Sequence, residues 1–186
     1  IEIRDGLIDE LSLVDCLYYL TFFAQITSGP IDRSRRFVED ARRTYRRDEY
    51  ADLLTRGILL LLVGAVFQLV IATVVRDWYD PVAAAGIGGA PKLENLGLAG
   101  VAYQIAYAYG YGIYLFFDFA GYSLMAMGTS YCFGIRCPRN FRAPFAAVDI
   151  KDFWNRWHIT LSTWLRDFVF MRFTRAVTRR HVFSTR

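Results

Sequence analysis

"GILLLLVGAVFQLVIATVV", residues 57–75, runs for 19 residues with only Gln68 and Thr73 polar, and Arg56 and Arg76 stand at its two ends. A helix of that length rises about 28 Å, close to the hydrocarbon thickness of a bilayer. Because hydrocarbon offers no water to satisfy backbone amides, a helix is the form such a run takes there. The stretch therefore predicts a transmembrane helix, and an all-α membrane protein around it.

Downstream, residues 97–135 stay apolar for 39 residues, broken only by Gln104, Asp118 and a few hydroxyls. One straight helix of that length would measure about 58 Å, too long for a single crossing. The arginine-rich blocks 33–56 and 136–186 are both net basic, and cytoplasmic loops collect basic residues. An even number of crossings should then separate the two blocks. The expected layout follows from that. Residues 1–56 form a partial or re-entrant helix, a turn at Ser28-Gly29-Pro30 and a basic cytoplasmic segment. Residues 57–75 cross, 76–96 make an external loop, and 97–135 hold a second transmembrane helix over about 98–117 plus a re-entrant segment. Residues 136–186 lie at the cytoplasmic interface. Ala102, Ala106 and Gly110 repeat every four residues, a spacing that lets helices approach closely. The fold class is a polytopic helical bundle with interfacial and re-entrant helices.

Composition agrees. Hydrophobic residues are 54% and charged residues 22%, and they fall in separate blocks rather than interleaving as in a soluble domain. Of 22 basic residues, all but Lys92 and Lys151 are arginine. Basic blocks beside apolar runs suit an anionic membrane surface or an acidic protein, so nucleic acid is not an expected partner. Cys16, Cys132 and Cys137 form no CxxC or Cys/His array, which argues against a metal site, and they read as free thiols. Cys137, at a membrane edge, has the placement of a lipidation site. The chain opens at Ile1 without the basic n-region or cleavage pattern of a signal peptide, and reads as a piece of a longer polypeptide.

The chemistry gathers in "DFWNRWHITLSTWLRDFVF", residues 152–170, where Trp154, Trp157 and Trp164 surround His158. Asp149 suits an N-cap, and Asp152 and Arg156 pair at a four-residue spacing. Tryptophans bordered by arginines predict a helix lying at the membrane interface. On one continuous helix, Asn155 and Ser162 would share the face of His158. Periodicity alone favours a packed, structural histidine. A functional one needs a second group brought from elsewhere, and Ser162 lacks the third member of a triad.

This stretch, with "SGPIDRSRRF" (28–37) and "LFFDFAGYS" (115–123), resembles the membrane-bound O-acyltransferases. The likeness lies in the branch that serves alginate O-acetylation and the D-alanylation of lipoteichoic acid. The resemblance implies a ring of transmembrane helices around a central tunnel in the cell membrane of a Gram-positive bacterium. It implies an acyl donor that arrives as a thioester: D-alanine on the phosphopantetheine arm of a small acidic carrier protein, with no cofactor bound by the chain itself. Other proteins of the D-alanylation pathway and the lipid bilayer are the further expected partners. His158 matches one of two family histidines. The other, usually taken as catalytic, follows downstream in an apolar segment, and His181, in a basic stretch, does not match it. The chain alone is therefore expected to be inactive. Within this framework Asp118, Asn155 and Ser162 are tunnel or site-supporting residues, and Met171, Arg172, Arg175 and Val177 offer a carrier-docking face. Three alternatives compete: O-acetylation of a polysaccharide, a transporter or channel lined by Asp118 and the tyrosines, and a non-catalytic scaffold.

Overall fold

The computed structural model describes residues 11–78 and 98–184, so most of the expected external loop, 76–96, lies outside them. Among the described residues the regular structure is helical. Helix α1 spans Leu13–Thr21, and the Ser12 hydroxyl accepts the amide of Asp15 at 3.1 Å as its N-cap. After a turn, α2 covers Ser34–Ala41. Helix α3 covers Arg47–Ala65 and passes through a π-helical turn, Val66–Ile71, within a helical run that extends to Trp78. Helix α4 is Leu98–Cys132 and α5 is Ile150–Arg156. Helix α6, Ile159–Leu165, leads through a second π-helical turn, Arg166–Phe170, into α7, Met171–Ser184.

The frame is the antiparallel pair α3 and α4, held close by four glycines. Gly57 lies against Gly128, and Gly64 against Gly121. A Cβ at Gly57 would come within 2.9 Å of the Gly128 carbonyl oxygen, and one at Gly64 within 2.7 Å of the Gly121 carbonyl oxygen. Each helix thus presents two glycines seven residues apart, two turns along one face. Backbones meet there with no side chain between them, the geometry that small residues permit in membrane helices. The expected small-residue stripe is not this contact, and its member Ala102 is exposed.

The expected division of 97–135 into a crossing and a re-entrant return is corrected: α4 is one continuous helix of 35 residues. No proline interrupts Leu98–Cys132, and two of its glycines, Gly121 and Gly128, are spent on the α3 contact. A helix need not stop where hydrocarbon stops. At about 52 Å, α4 projects well past one bilayer thickness. Among the described residues one helix, Arg47–Trp78, is long and apolar enough to cross a membrane by length and composition. Its outward side is strongly apolar, with Leu59, Leu62 and Leu69 each more than half exposed.

The start of α3 and the end of α4 are tied together. Tyr50 donates its hydroxyl to the Cys132 carbonyl at 2.8 Å, and Tyr45 donates to the Gly134 carbonyl at 2.7 Å. Buried Asp40 accepts the Arg136 amide at 2.9 Å and faces its guanidinium at 3.3 Å. Both basic blocks therefore meet at one end of the helix pair. A small core of Phe22, Ala24, Phe37 and Ile135 fills the space below them. Cys137 is buried here rather than at an open edge, which removes it as a lipidation site. The Gln25 amide donates to its sulfur at 2.6 Å, and burial pushes its thiol pKa up to about 11.

Candidate functional site

The tryptophan-rich stretch is two helices rather than one. Asp149 accepts the Asp152 amide at 2.6 Å and caps α5 as expected, and Asp152 pairs with Arg156 at 2.8 Å. The helix then ends. Trp157 is extended, and His158 takes the left-handed conformation, φ 43° and ψ 53°, immediately before α6. Left-handed backbone costs a non-glycine residue about 1–2 kcal/mol, so the surroundings must impose it.

They do so through a buried polar cross-link. The Ile159 amide donates to the Asn140 carbonyl at 2.8 Å. The Thr160 hydroxyl donates to the Asn140 side-chain oxygen at 2.5 Å and accepts the Ile31 amide at 3.1 Å. The Asn140 amide group donates to the Ser123 hydroxyl at 2.9 Å. Ser123, Asn140 and Thr160 are all buried. Four separate parts of the chain are joined here: the turn before α2, α4, the loop after α4 and the start of α6. Every member has a partner, and a satisfied buried network fixes a unique arrangement.

The reversal sets the His158 ring edge-on against Phe119 of α4, 4.8 Å between centroids and 85° between planes. Trp157 turns the other way, into Phe141 and Phe153. His158 lines a cavity of about 460 Å3. The turn after α1 contributes Thr27 and Ser28, the π-helical turn of α3 contributes Gln68, and α4 contributes Asp118, Phe119 and Tyr122. The hydroxyls of Thr27 and Tyr122 are hydrogen-bonded to each other. Gln68 donates to Asp118 at 3.4 Å. Burial lowers the pKa of His158 below its ordinary 6.5, so the imidazole is neutral at pH 7, with one nitrogen to donate and one to accept.

Of the residues singled out from sequence, His158 and Asp118 are brought to one cavity. Asn155 and Ser162 are not: both are exposed and neither lines it. Their expected place on the histidine's face assumed an unbroken helix, and the reversal at 157–158 cancels that spacing. On α7, Met171, Arg175 and Val177 are exposed, while Arg172 is half-buried with its guanidinium 5.8 Å from the Phe168 ring. Arg33 binds Asp167 at 2.6 Å and lies over the same ring at 4.4 Å, which ties the turn before α2 to the start of the basic helix. Sequence reasoning missed Thr27, Gln68, Tyr122, Asn140 and Thr160. Gln68 alone carried a signal, as an amide inside an apolar run.

Residues 2–185 match the MBOAT, membrane-bound O-acyltransferase family, and the chain belongs to that family. Over 180 residues it is 45% identical to a protein of Bacillus subtilis (strain 168) named "Teichoic acid D-alanyltransferase", covering 96% of this chain and 43% of that one. A protein of the same name from Streptococcus thermophilus is 41% identical over 186 residues, covering 100% of this chain and 43% of the relative. A "Probable alginate O-acetylase AlgI" of Azotobacter vinelandii is 33% identical over 161 residues, 86% of this chain and 29% of the relative. The chain thus spans under half the length of each of these relatives.

Proposed function

We propose that the chain forms part of a multi-pass membrane O-acyltransferase that moves D-alanine from a carrier-protein thioester toward teichoic acid. The observation that carries this reading is the lodging of His158, neutral and sterically fixed, in a cavity whose polar groups include Asp118, Gln68 and Tyr122. The names of the relatives at 41–45% identity favour D-alanyl over acetyl as the acyl group.

In this reaction the oxygen of an acceptor hydroxyl bonds to the thioester carbonyl carbon and the carbon–sulfur bond breaks. The hydroxyl proton ends on the departing phosphopantetheine thiol. His158 orients the thioester or the acceptor hydroxyl by hydrogen bonding, and the family's second histidine takes the proton in transit. The aromatic side chains Phe119 and Tyr122 limit water at the reacting carbon, which protects the thioester from hydrolysis. The acidic carrier docks on α7, where arginines steer it and Met171 and Val177 supply apolar contact.

Replacing His158 with Ala in the protein expressed in its host membrane tests the reading. D-Alanyl ester on teichoic acid is expected to fall at least about tenfold, equivalent to about 1.4 kcal/mol of transition-state stabilisation, at unchanged membrane abundance. Normal ester content in that variant would assign His158 a purely structural role.

A further inference from the structure

Asp118 and Gln68 form a second polar feature in the His158 cavity, on the wall made by α3 and α4. Asp118 sits in the middle of a long apolar helix, between Phe117 and Phe119. A carboxylate inside membrane-embedded structure is costly unless a cation, a dense set of donors or water meets it. Gln68 donates to one oxygen only, at a long 3.4 Å. Among the described residues no lysine or arginine pairs with Asp118, although eleven other carboxylate–arginine pairs are formed elsewhere. Asp118 is half-buried and lines the cavity.

The π-helical turn strengthens the case. Inserting one extra residue per turn into a helix re-aims side chains and is commonly found at functional positions. Here the turn, Val66–Ile71, contains Gln68 and lies opposite Gly121, where a Cβ would meet the Gln68 backbone nitrogen at 2.7 Å. The close approach of the two backbones and the local change of helix together aim an amide at a carboxylate. The pair is built, and among the described residues no cation meets it.

We infer that Asp118, held by Gln68, is the subsite for the α-ammonium group of the aminoacyl donor. This rests on the proposed reading of the site, whose acyl group carries one positive charge close to the thioester carbonyl. An ammonium has three donors and needs acceptors in fixed positions. Asp118 supplies a charged acceptor, and the Gln68 carbonyl oxygen can supply a neutral one. The subsite holds the acyl group by its charged end, so that its carbonyl is presented to the side of the cavity where His158 stands. A neutral acyl group gains nothing from Asp118 and leaves a carboxylate uncompensated, which selects against it.

The test compares two acyl groups in membrane vesicles containing the whole protein of which this chain forms part. The carrier is loaded with D-alanine, or with D-lactate, in which a neutral hydroxyl replaces the ammonium. Acyl ester formed on teichoic acid is then measured. The unmutated protein is expected to transfer D-alanyl at least about tenfold faster than D-lactyl, as the loss of one charge-assisted contact implies. Asp118→Asn, which keeps size and removes charge, is expected to lower D-alanyl transfer about 10- to 100-fold while D-lactyl transfer holds or rises. Asp118→Glu restores part of the preference. Equal transfer of both acyl groups by the unmutated protein, which needs no variant to fold, would overturn the subsite. So would an equal loss of both in Asp118→Asn, the signature of a structural carboxylate. Failure of the unmutated protein to transfer D-alanyl at all, with acetyl transferred instead, would overturn the functional reading and the subsite with it.

Discussion

At the scale of single residues, His158 carries two demands in one position. Its side chain lines the cavity, and its backbone is left-handed. Substitutions separate the two. Glycine and asparagine tolerate left-handed backbone, whereas alanine pays for it. His158→Gly is therefore expected to unfold in detergent with a midpoint no lower than that of His158→Ala, although both lose the imidazole. A lower midpoint for the glycine variant would show that ring packing against Phe119 outweighs the backbone term. Protonation gives a second handle. Burial holds the folded pKa below 6.5, so the unfolded chain takes up a proton that the folded chain resists. Stability linked to this residue is fully present above pH 6.5 and is lost as pH falls through the lowered value. The thermal midpoint is expected to decline below pH 6.5, and less steeply in His158→Asn. On the proposed function, in which the neutral ring acts, the same depression puts the acid limb of acyl transfer below pH 6.5.

At the scale of elements, two contacts decide whether the site exists. Asn140→Ala leaves the buried hydroxyls of Thr160 and Ser123 without their partner and is expected to cost about 1–3 kcal/mol. Thr160→Ser keeps the hydroxyl and should retain most of the stability, whereas Thr160→Val should not. Gly64→Ala drives a Cβ against the Gly121 carbonyl, where only backbone movement makes room. That overpacking is expected to cost about 1–3 kcal/mol, read as a lower unfolding midpoint. These elements were unequally legible in the sequence. Residues 57–75 could be read because length and unbroken apolarity act together, and both are local properties. The extent of α4 could not: hydropathy marks where hydrocarbon surrounds a helix, while its end is set by chain stops such as the turn at Gly134, φ 78°. The identity of His158 was legible and its geometry was not. The reversal there depends on Asn140 and on Ile31, which reach Thr160 across 20 and 129 residues of sequence. Asn155 and Ser162 were misplaced for the same reason, because helical periodicity carries no signal about a break imposed from a distance.

At the scale of the whole molecule, the antiparallel pair α3 and α4 sends both arginine-rich blocks to one end. Cysteines introduced near Arg43 and near Arg175 are therefore expected to show the same accessibility to an impermeant thiol reagent in intact cells. Opposite labelling of the two would contradict the arrangement. The exposed apolar residues of α7 give a further expectation. On the proposed function, Val177→Asp should weaken capture of the acidic carrier while leaving membrane abundance unchanged, because Val177 is exposed. The cross-link between Ile31 and Thr160 also bears on how the protein is made. The two residues emerge from the ribosome 129 residues apart, roughly 6 to 26 seconds at synthesis rates of 5–20 residues per second. For nearly all of that interval the Ile31 amide lacks its Thr160 partner, and His158 has not been synthesised. A nascent chain with both long helices already inserted thus holds an incomplete cavity; on the proposed function, it would spend no charged thioester before its own translation has passed the histidine.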